Sequence, residues 1–249
     1  MKNLFQKIFG REPRAYPYCA AIVAAAGCSQ RYGGENKLLQ PLDGIPVLAH
    51  TLRAVDAAAR VDEIVIAARE EDLLSYADLC KAYGIGKPVK VIVGGATRTE
   101  SVLRAALETS EEAGLIAVQD GARPLVKPEM IDALIEKAAA CAAVAPATAV
   151  RDTVKVSDDG RTVRETPERS KLFAVQTPQV FDAAVLKAAL QSALTSGGEV
   201  TDDCAAVERL GKVVYLTDGD EENVKITTPI DLLLAEAILH DRTEREGAE

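Results

Sequence analysis

Histidine is scarce in this chain, and cysteine falls into no pattern. Only His50 and His240 occur among 249 residues, and neither is placed for a Ser-His or Cys-His couple. That argues against covalent hydrolase chemistry. The five cysteines, Cys19, Cys28, Cys80, Cys141 and Cys204, are odd in number and contain no Cys-x-x-Cys spacing. A disulfide scaffold and a Cys/His zinc site are therefore disfavoured, and a reducing, cytoplasmic setting is expected. Long apolar runs are missing too. The longest, Tyr18 to Cys28, is far short of the ~20 residues that span a bilayer, so no transmembrane helix is expected. Positive charge is in the minority, with 29 Lys and Arg against 38 Asp and Glu for a net charge of −9. A chain that coats nucleic acid needs a basic face, so that partner is not expected. Three familiar signatures are also absent: G-x-x-x-x-G-K-[ST], G-x-S-x-G and G-x-G-x-x-G.

What is present is an ordinary globular composition, 48% apolar and 27% charged. It suits one sizeable α/β domain or two small ones with a buried core. Residues 1–17 read as a basic, flexible extension. Leu4, Phe5, Ile8 and Phe9 are interrupted by Gln6 and Lys7, so they form no signal-peptide core, and membrane contact is not expected. From there short β-branched runs alternate with longer amphipathic ones. Strands are predicted at Cys19–Ala25, Glu63–Ala67, Val89–Val93, Leu115–Gln119 and Ala143–Val150, with helices between them, one opening at Pro46 and another at Pro128. Such alternation means a mostly parallel sheet flanked by helices. Ligands of such sheets bind beyond the carboxyl ends of the strands, which selects the loops 25–37, 94–101, 120–124 and 150–153.

The rhythm changes at about Asp152. Thr153–Val156, a Ser-Asp-Asp-Gly turn and Thr162-Val163 read as a β-hairpin, and the stretch 152–172 is expected to project as an arm. A hairpin this small buries no core of its own, so the arm is expected to pack against a second subunit. Helices near 182–194 and 201–210, a strand at 212–216 and a helix from Pro229 complete a domain of residues 18–240. A charged tail, 241–249, follows.

The first strand runs into Ala24-Ala25-Ala26-Gly27-Cys28-Ser29-Gln30-Arg31, then Asn36-Lys37-Leu38. Small side chains let the backbone pass close to a flat group, and the amides of a tight turn suit phosphate oxygens. Arg31 adds a planar fork and Lys37 a point charge, as a polyphosphate requires. By itself this loop is equally readable as an ordinary strand-to-helix turn.

Five further segments follow in order: Gly94-Gly95-x-x-Arg98-x-x-Ser101-Val102, Asp120-Gly121-Ala122-Arg123-Pro124, Gln176-Thr177-Pro178-Gln179, Thr201-Asp202-Asp203, and Asn223-Val224-Lys225-Ile226-Thr227-Thr228-Pro229. With the first loop, the set resembles the 2-C-methyl-D-erythritol 4-phosphate cytidylyltransferase family over about residues 18–240. The resemblance implies a Rossmann-like α/β fold of the nucleotide-diphospho-sugar transferase type, Mg²⁺ as cofactor, and CTP and a sugar-alcohol phosphate as substrates. It assigns Arg31, Lys37 and Lys225 to the triphosphate, and Asp120 to CTP and the metal. Ala25, Ala26, Gly27, Gly95 and Ser101 fall around the nucleotide. Arg123, Thr153, Arg169, Thr177 and Thr201 fall to the acceptor phosphate, some of them across a homodimer through the arm. Three positions depart from the family's pattern: Ser29 replaces a glycine, Asn36-Lys37-Leu38 replaces Pro-Lys-Gln, and Ala96 replaces an acidic residue. An acidic partner before the Asn-x-Lys corresponds to Asp220 or Glu222. Alternatives with the same fold are a ribitol-5-phosphate cytidylyltransferase and a nucleotidyltransferase acting on molybdopterin. A non-catalytic nucleotide-binding module is the alternative from another class.

Overall fold

The structure, a computed structural model, describes residues 16–27, 32, 36–197 and 200–246. Arg31, Ser29 and the apolar residues of the N-terminal extension lie outside these described residues. β1 (Tyr18–Ala25) leads through a short ribbon, β2 (Pro41–Leu42) and β3 (Ile45–Pro46), into α1 (Val47–Ala57). Next come β4 (Glu63–Ala68), α2 (Leu73–Ala82), β5 (Val89–Val93), α3 (Arg98–Leu107), β6 (Ala113–Asp120), α4 (Pro128–Cys141) and β7 (Ala143–Ala149). After the arm the chain forms β8 (Phe173–Val175), β9 (Gln179–Asp182), α5 (Ala183–Ser196), α6 (Asp203–Arg209), β10 (Tyr215–Asp218) and α7 (Pro229–Glu246).

The central sheet has the order β10-β7-β9-β6-β1-β4-β5, with β8 also on β7. β1 pairs in parallel with β4 on one side and β6 on the other, while β9 runs antiparallel between β6 and β7. Side chains of β1 alternate between two cores. Cys19, Ala21, Val23 and Ala25 face residues of α1, α2, α4 and α7, and Ile22 faces those of α3, α5 and α6. Buried on both faces, the inner strands read as apolar runs, of which residues 64–68 of β4 are the clearest. The chain leaves β1 for β4 and β5, then crosses back to β6 on the other flank of β1. That reversal opens a crevice between the carboxyl ends of β1 and β6, where Ala24 pairs with Asp120.

Three sequence expectations are corrected. The segment before α5 contains an antiparallel strand, β9, where none was predicted. Four residues are too few to show a period, and Gln179 is buried because Cys204 and Asp202 take both ends of its amide. The strand expected at 212–216 begins later, at Tyr215. Gly211 turns the chain at a positive φ, and the Lys212 amide folds back on the Val207 carbonyl. In the arm, the hairpin reduces to a single antiparallel bridge between Val156 and Glu165. The Asp159 carboxylate accepts from the Arg161 and Thr162 amides and from the Thr162 and Ser157 hydroxyls, so a side chain organises the turn. The charged segment after His240 continues α7 as far as Glu246.

Phe181 is fully buried on the α5 side of β9. Its replacement by Ala should cost about 3–5 kcal/mol in equilibrium urea unfolding. Leu74, 80% exposed on α2, serves as the control, and its replacement should stay within about 0.5 kcal/mol.

Candidate active site

At the end of β1 a run of small residues, Ala24 to Gly27, forms one wall of a cleft of about 290 Å³. The opposite wall is the loop between β5 and α3, held by its own hydrogen bonds. The Gly95 amide donates to the Ser101 hydroxyl at 2.9 Å, and that hydroxyl donates to the Thr97 carbonyl at 2.8 Å. Thr97 caps α3 by accepting from the Glu100 amide, and Arg104 donates to the Gly94 carbonyl. Glycine is required at 94, where a Cβ would lie 2.7 Å from that of Ala26 and 2.9 Å from the Ser101 oxygen. The cleft is therefore narrow, flat and walled by methyl groups and main chain, as a planar base requires.

Lys37, Arg98, Asp120 and Lys225 line the other end of the same cleft. Asp120 is the last residue of β6, and three cations surround it. Lys225 Nζ lies 2.8 Å from Oδ2, Arg123 Nε lies 3.5 Å from Oδ2, and Arg98 Nε lies 3.6 Å from Oδ1. Burial alone would push the carboxyl up. The charges of Lys225, Arg98 and Arg123 outweigh it and hold the group at about 2. Its amide donates to the Thr177 hydroxyl at 3.0 Å.

Arg98, Asp120 and Lys225 are also one wall of a second cavity of about 260 Å³, completed by Arg123, Val175, Thr177, Gln179, Thr201 and Asp202. Two anion-sized spaces thus share a single charged partition. A wider groove, about 800 Å³, lies behind the 217–222 loop, lined on one side by Asp218, Asp220, Glu221 and Glu222 and on the other by Lys127, Met130, Ala133 and Leu134 of α4 and its entry. Of the positions singled out in the sequence it holds only Asp220 and Glu222, the two candidates for a further acidic partner.

Most of those residues converge. Ala25, Ala26, Gly27, Lys37, Gly95, Ser101, Asp120 and Lys225 line the first cleft. Arg123, Thr177 and Thr201 line the second. Thr153 and Arg169, on the exposed arm, line neither cavity of their own chain, and Arg169 donates to the Arg151 carbonyl. Asp220 and Glu222, the two positions for a further acidic partner, are turned to Lys127 at 2.8 and 3.2 Å. Among the described residues no group of three or more His, Cys, Asp or Glu side chains is arranged to hold a metal.

One pair was missing from the expected site. Arg98 reaches Asp203 with Nη1 2.7 Å from Oδ2, and the Asp203 side chain is 1% exposed. Burial pushes Asp203 up, opposed by Arg98. Burial would lower Arg98, but Asp203 and Asp120 outweigh it and raise the guanidinium further. Both residues stand inside segments singled out in the sequence. What the sequence withholds is that α3 and α6 bring them together beneath Asp120.

A mostly parallel sheet whose switch-point crevice gathers small residues and a cluster of cations is an arrangement that suits a nucleotidyltransferase. The sequence profile of the 2-C-methyl-D-erythritol 4-phosphate cytidylyltransferase family matches residues 19–241. This chain belongs to that family. It is 44% identical over 221 residues to the enzyme of that name from Bacillus cytotoxicus, covering 88% of this chain and 96% of that protein. It is 42% identical over 224 residues to one from a Synechococcus species, covering 89% and 98%. Among solved structures, the 4-diphosphocytidyl-2C-methyl-D-erythritol synthase of Anaerococcus prevotii superposes with a TM-score of 0.80 at 31% identity, covering 90% of this chain and 99% of that one. The cytidylyltransferase of Thermus thermophilus gives 0.72 at 32% identity, covering 89% and 98%.

The depressed Asp120 carboxyl makes a signed prediction. A folded value near 2 against an ordinary 3.8 means that its ion pairs stabilise the fold above pH 3.8 and lose that effect as pH falls toward 2. Asp120→Asn leaves Lys225, Arg98 and Arg123 facing one another. The stability difference between wild type and variant in urea should be full at neutral pH and shrink steadily below 3.8. A difference independent of pH would contradict the assigned pairing.

Proposed function

We propose that this chain transfers CMP from CTP to 2-C-methyl-D-erythritol 4-phosphate, releasing pyrophosphate, as a step of non-mevalonate isoprenoid synthesis. The observation that carries this reading is the partition of Arg98, Asp120 and Lys225 between a flat-walled cleft and a second, polar cavity. CTP lies in the first with its cytosine between Ala24–Gly27 and Gly95–Ser101. The acceptor phosphate lies in the second, near Arg123, Thr177 and Thr201. Their meeting point is the charged wall itself.

An acceptor phosphate oxygen attacks the α-phosphorus of CTP. The new P–O bond forms as the bond to the β-phosphate oxygen breaks, and the electron pair leaves with pyrophosphate. The nucleophile is already an anion near neutral pH, so no base has to remove a proton from it. The chain's task is to bring two polyanions together and to offset the charge gathering on the equatorial oxygens. Lys225 serves this purpose by leaving Asp120 for the α-phosphate, while Lys37 holds the triphosphate, with Arg31 as its partner. Arg98 stays paired with Asp203 and keeps the partition in place.

Mg²⁺ fits this site. Asp120 stays ionised and is the single carboxylate among the residues lining the first cleft, and Mg²⁺ is commonly held by one or two carboxylates together with substrate phosphates and water. When bound, the ion neutralises phosphate charge at the reacting centre. Asp220 and Glu222 are committed to Lys127 and are not proposed as its ligands.

The arm and the strand that follows it carry exposed apolar side chains, with Val163 60% and Phe173, the first residue of β8, 50% exposed. We propose that the arm packs on a second copy of the chain, bringing Thr153 and Arg169 to the partner's acceptor cavity. Phe173→Asp should then shift sedimentation toward the monomer. Among the described residues no helix is long and apolar enough to cross a membrane. The free thiols of Cys19, Cys80, Cys141 and Cys204 suit a reducing cytoplasm.

With CTP, Mg²⁺ and methylerythritol phosphate, the protein should release pyrophosphate, and with ribitol 5-phosphate it should release far less. Lys37→Ala and Lys225→Ala should each lower turnover by about 10²-fold or more while both variants still fold cooperatively. Background release with the first acceptor would overturn the reading.

A further inference from the structure

Asp120 and Lys225 stand on separate loops, 120–127 after β6 and 219–226 before α7. Their 2.8 Å contact depends on how those loops are held. Two ties join the loops on the inside: the Ile226 amide donates to the Ala122 carbonyl, and Arg123 Nη1 donates to the Asn223 carbonyl at 2.7 Å. A third tie comes from outside the cleft. Arg242, on the last turns of α7, sets Nε 2.8 Å from Glu222 Oε2 and donates from Nη2 to the Leu125 carbonyl at 3.0 Å. One guanidinium thereby bridges both loops. Lys127 reinforces it, spanning Asp220 at 2.8 Å and Glu222 at 3.2 Å.

We propose that Arg242 is a positioning residue for cytidylyl transfer, fastening the loop that carries Lys225 to the loop that carries Asp120. The inference rests on the reaction proposed above. Arg242 lines neither the nucleotide cleft nor the acceptor cavity, and it lies one residue beyond the segment matched by the family profile. Its side chain is 21% exposed and that of Glu222 23%, so the pair is half-shielded from solvent. The bond from Arg242 leads in holding the Glu222 carboxyl down at about 2, with Lys127 adding to it against burial. The tie therefore stays charged across the working pH range. A planar fork suits this task, because it reaches a carboxylate with one edge and a carbonyl with another.

Two readouts test the proposal. Arg242→Met should lower kcat about 10-fold, less than the ~10²-fold of a full 1 Å misplacement because the inner ties remain. The KM for CTP should stay within about 2-fold, since the base cleft is untouched. Independently of activity, amide hydrogen exchange across 219–226 should quicken about 10-fold while β1 and β6 keep their protection. Glu222→Gln should act in the same direction. The double variant should fall by less than the sum of the two single effects, because both variants break the Arg242–Glu222 bond.

Unchanged exchange at 219–226 would overturn the tie, and quickened exchange with wild-type kcat would overturn its positioning role. Exchange that rises equally in β1 and β6 would reduce Arg242 to a general stabiliser and overturn the proposal. Wild-type protein inactive with both acceptors would instead count against the proposed reaction, while the exchange readout would still decide whether the tie exists.

Discussion

Three cations gathered on one buried carboxylate are the constraint from which the site is built. Asp120 is carried into the crevice by the sheet, and burial without partners would leave it neutral. Lys225, Arg98 and Arg123 keep it ionised, and it in turn keeps them from repelling one another. The cations come from three separate stretches of chain. Their convergence therefore fixes the α3 loop, the turn after β6 and the entry to α7 relative to one another. In the proposed reaction, substrate phosphates take over part of what Asp120 does in their absence.

The fold supplies the place for this cluster through a topological accident of order. Because β6 returns to the far flank of β1, loops leaving the two strands diverge and open a crevice at the Ala24–Asp120 pair. Insertion of antiparallel β9 beside β6 then delivers Thr177 to the Asp120 amide and Gln179 to the cap of α6. That helix carries Asp203, which anchors Arg98 from below. The second cavity exists because of this short reversed strand.

Much of this was legible beforehand. The parallel core strands announced themselves by apolar runs, and small residues with Lys37 marked the cleft by residue type, while Asp120 and Lys225 were placed there by the family resemblance. The Arg98–Asp203 pair was not legible as a pair. Each residue alone reads as an ordinary polar position near a helix start, and only the packing of both α3 and α6 on α5 makes them partners. β9 was hidden by its brevity. The arm was misread in detail because a carboxylate, Asp159, and not strand pairing governs its turn. Arg242 looked like one charge in a charged tail, since sequence spacing says nothing about which carbonyl a guanidinium will meet.

The wall formed by Gly94, Ala26 and Ser101 leaves no room for a Cβ at residue 94. If the proposed nucleotide lies there, its recognition falls to peptide groups and methyls, which point substitutions alter little without collapsing the slot. An inhibitor that hydrogen-bonds to this stretch of backbone would thus leave resistance few viable routes. One that leans on the arm or on the exposed tips of lysines would leave it many.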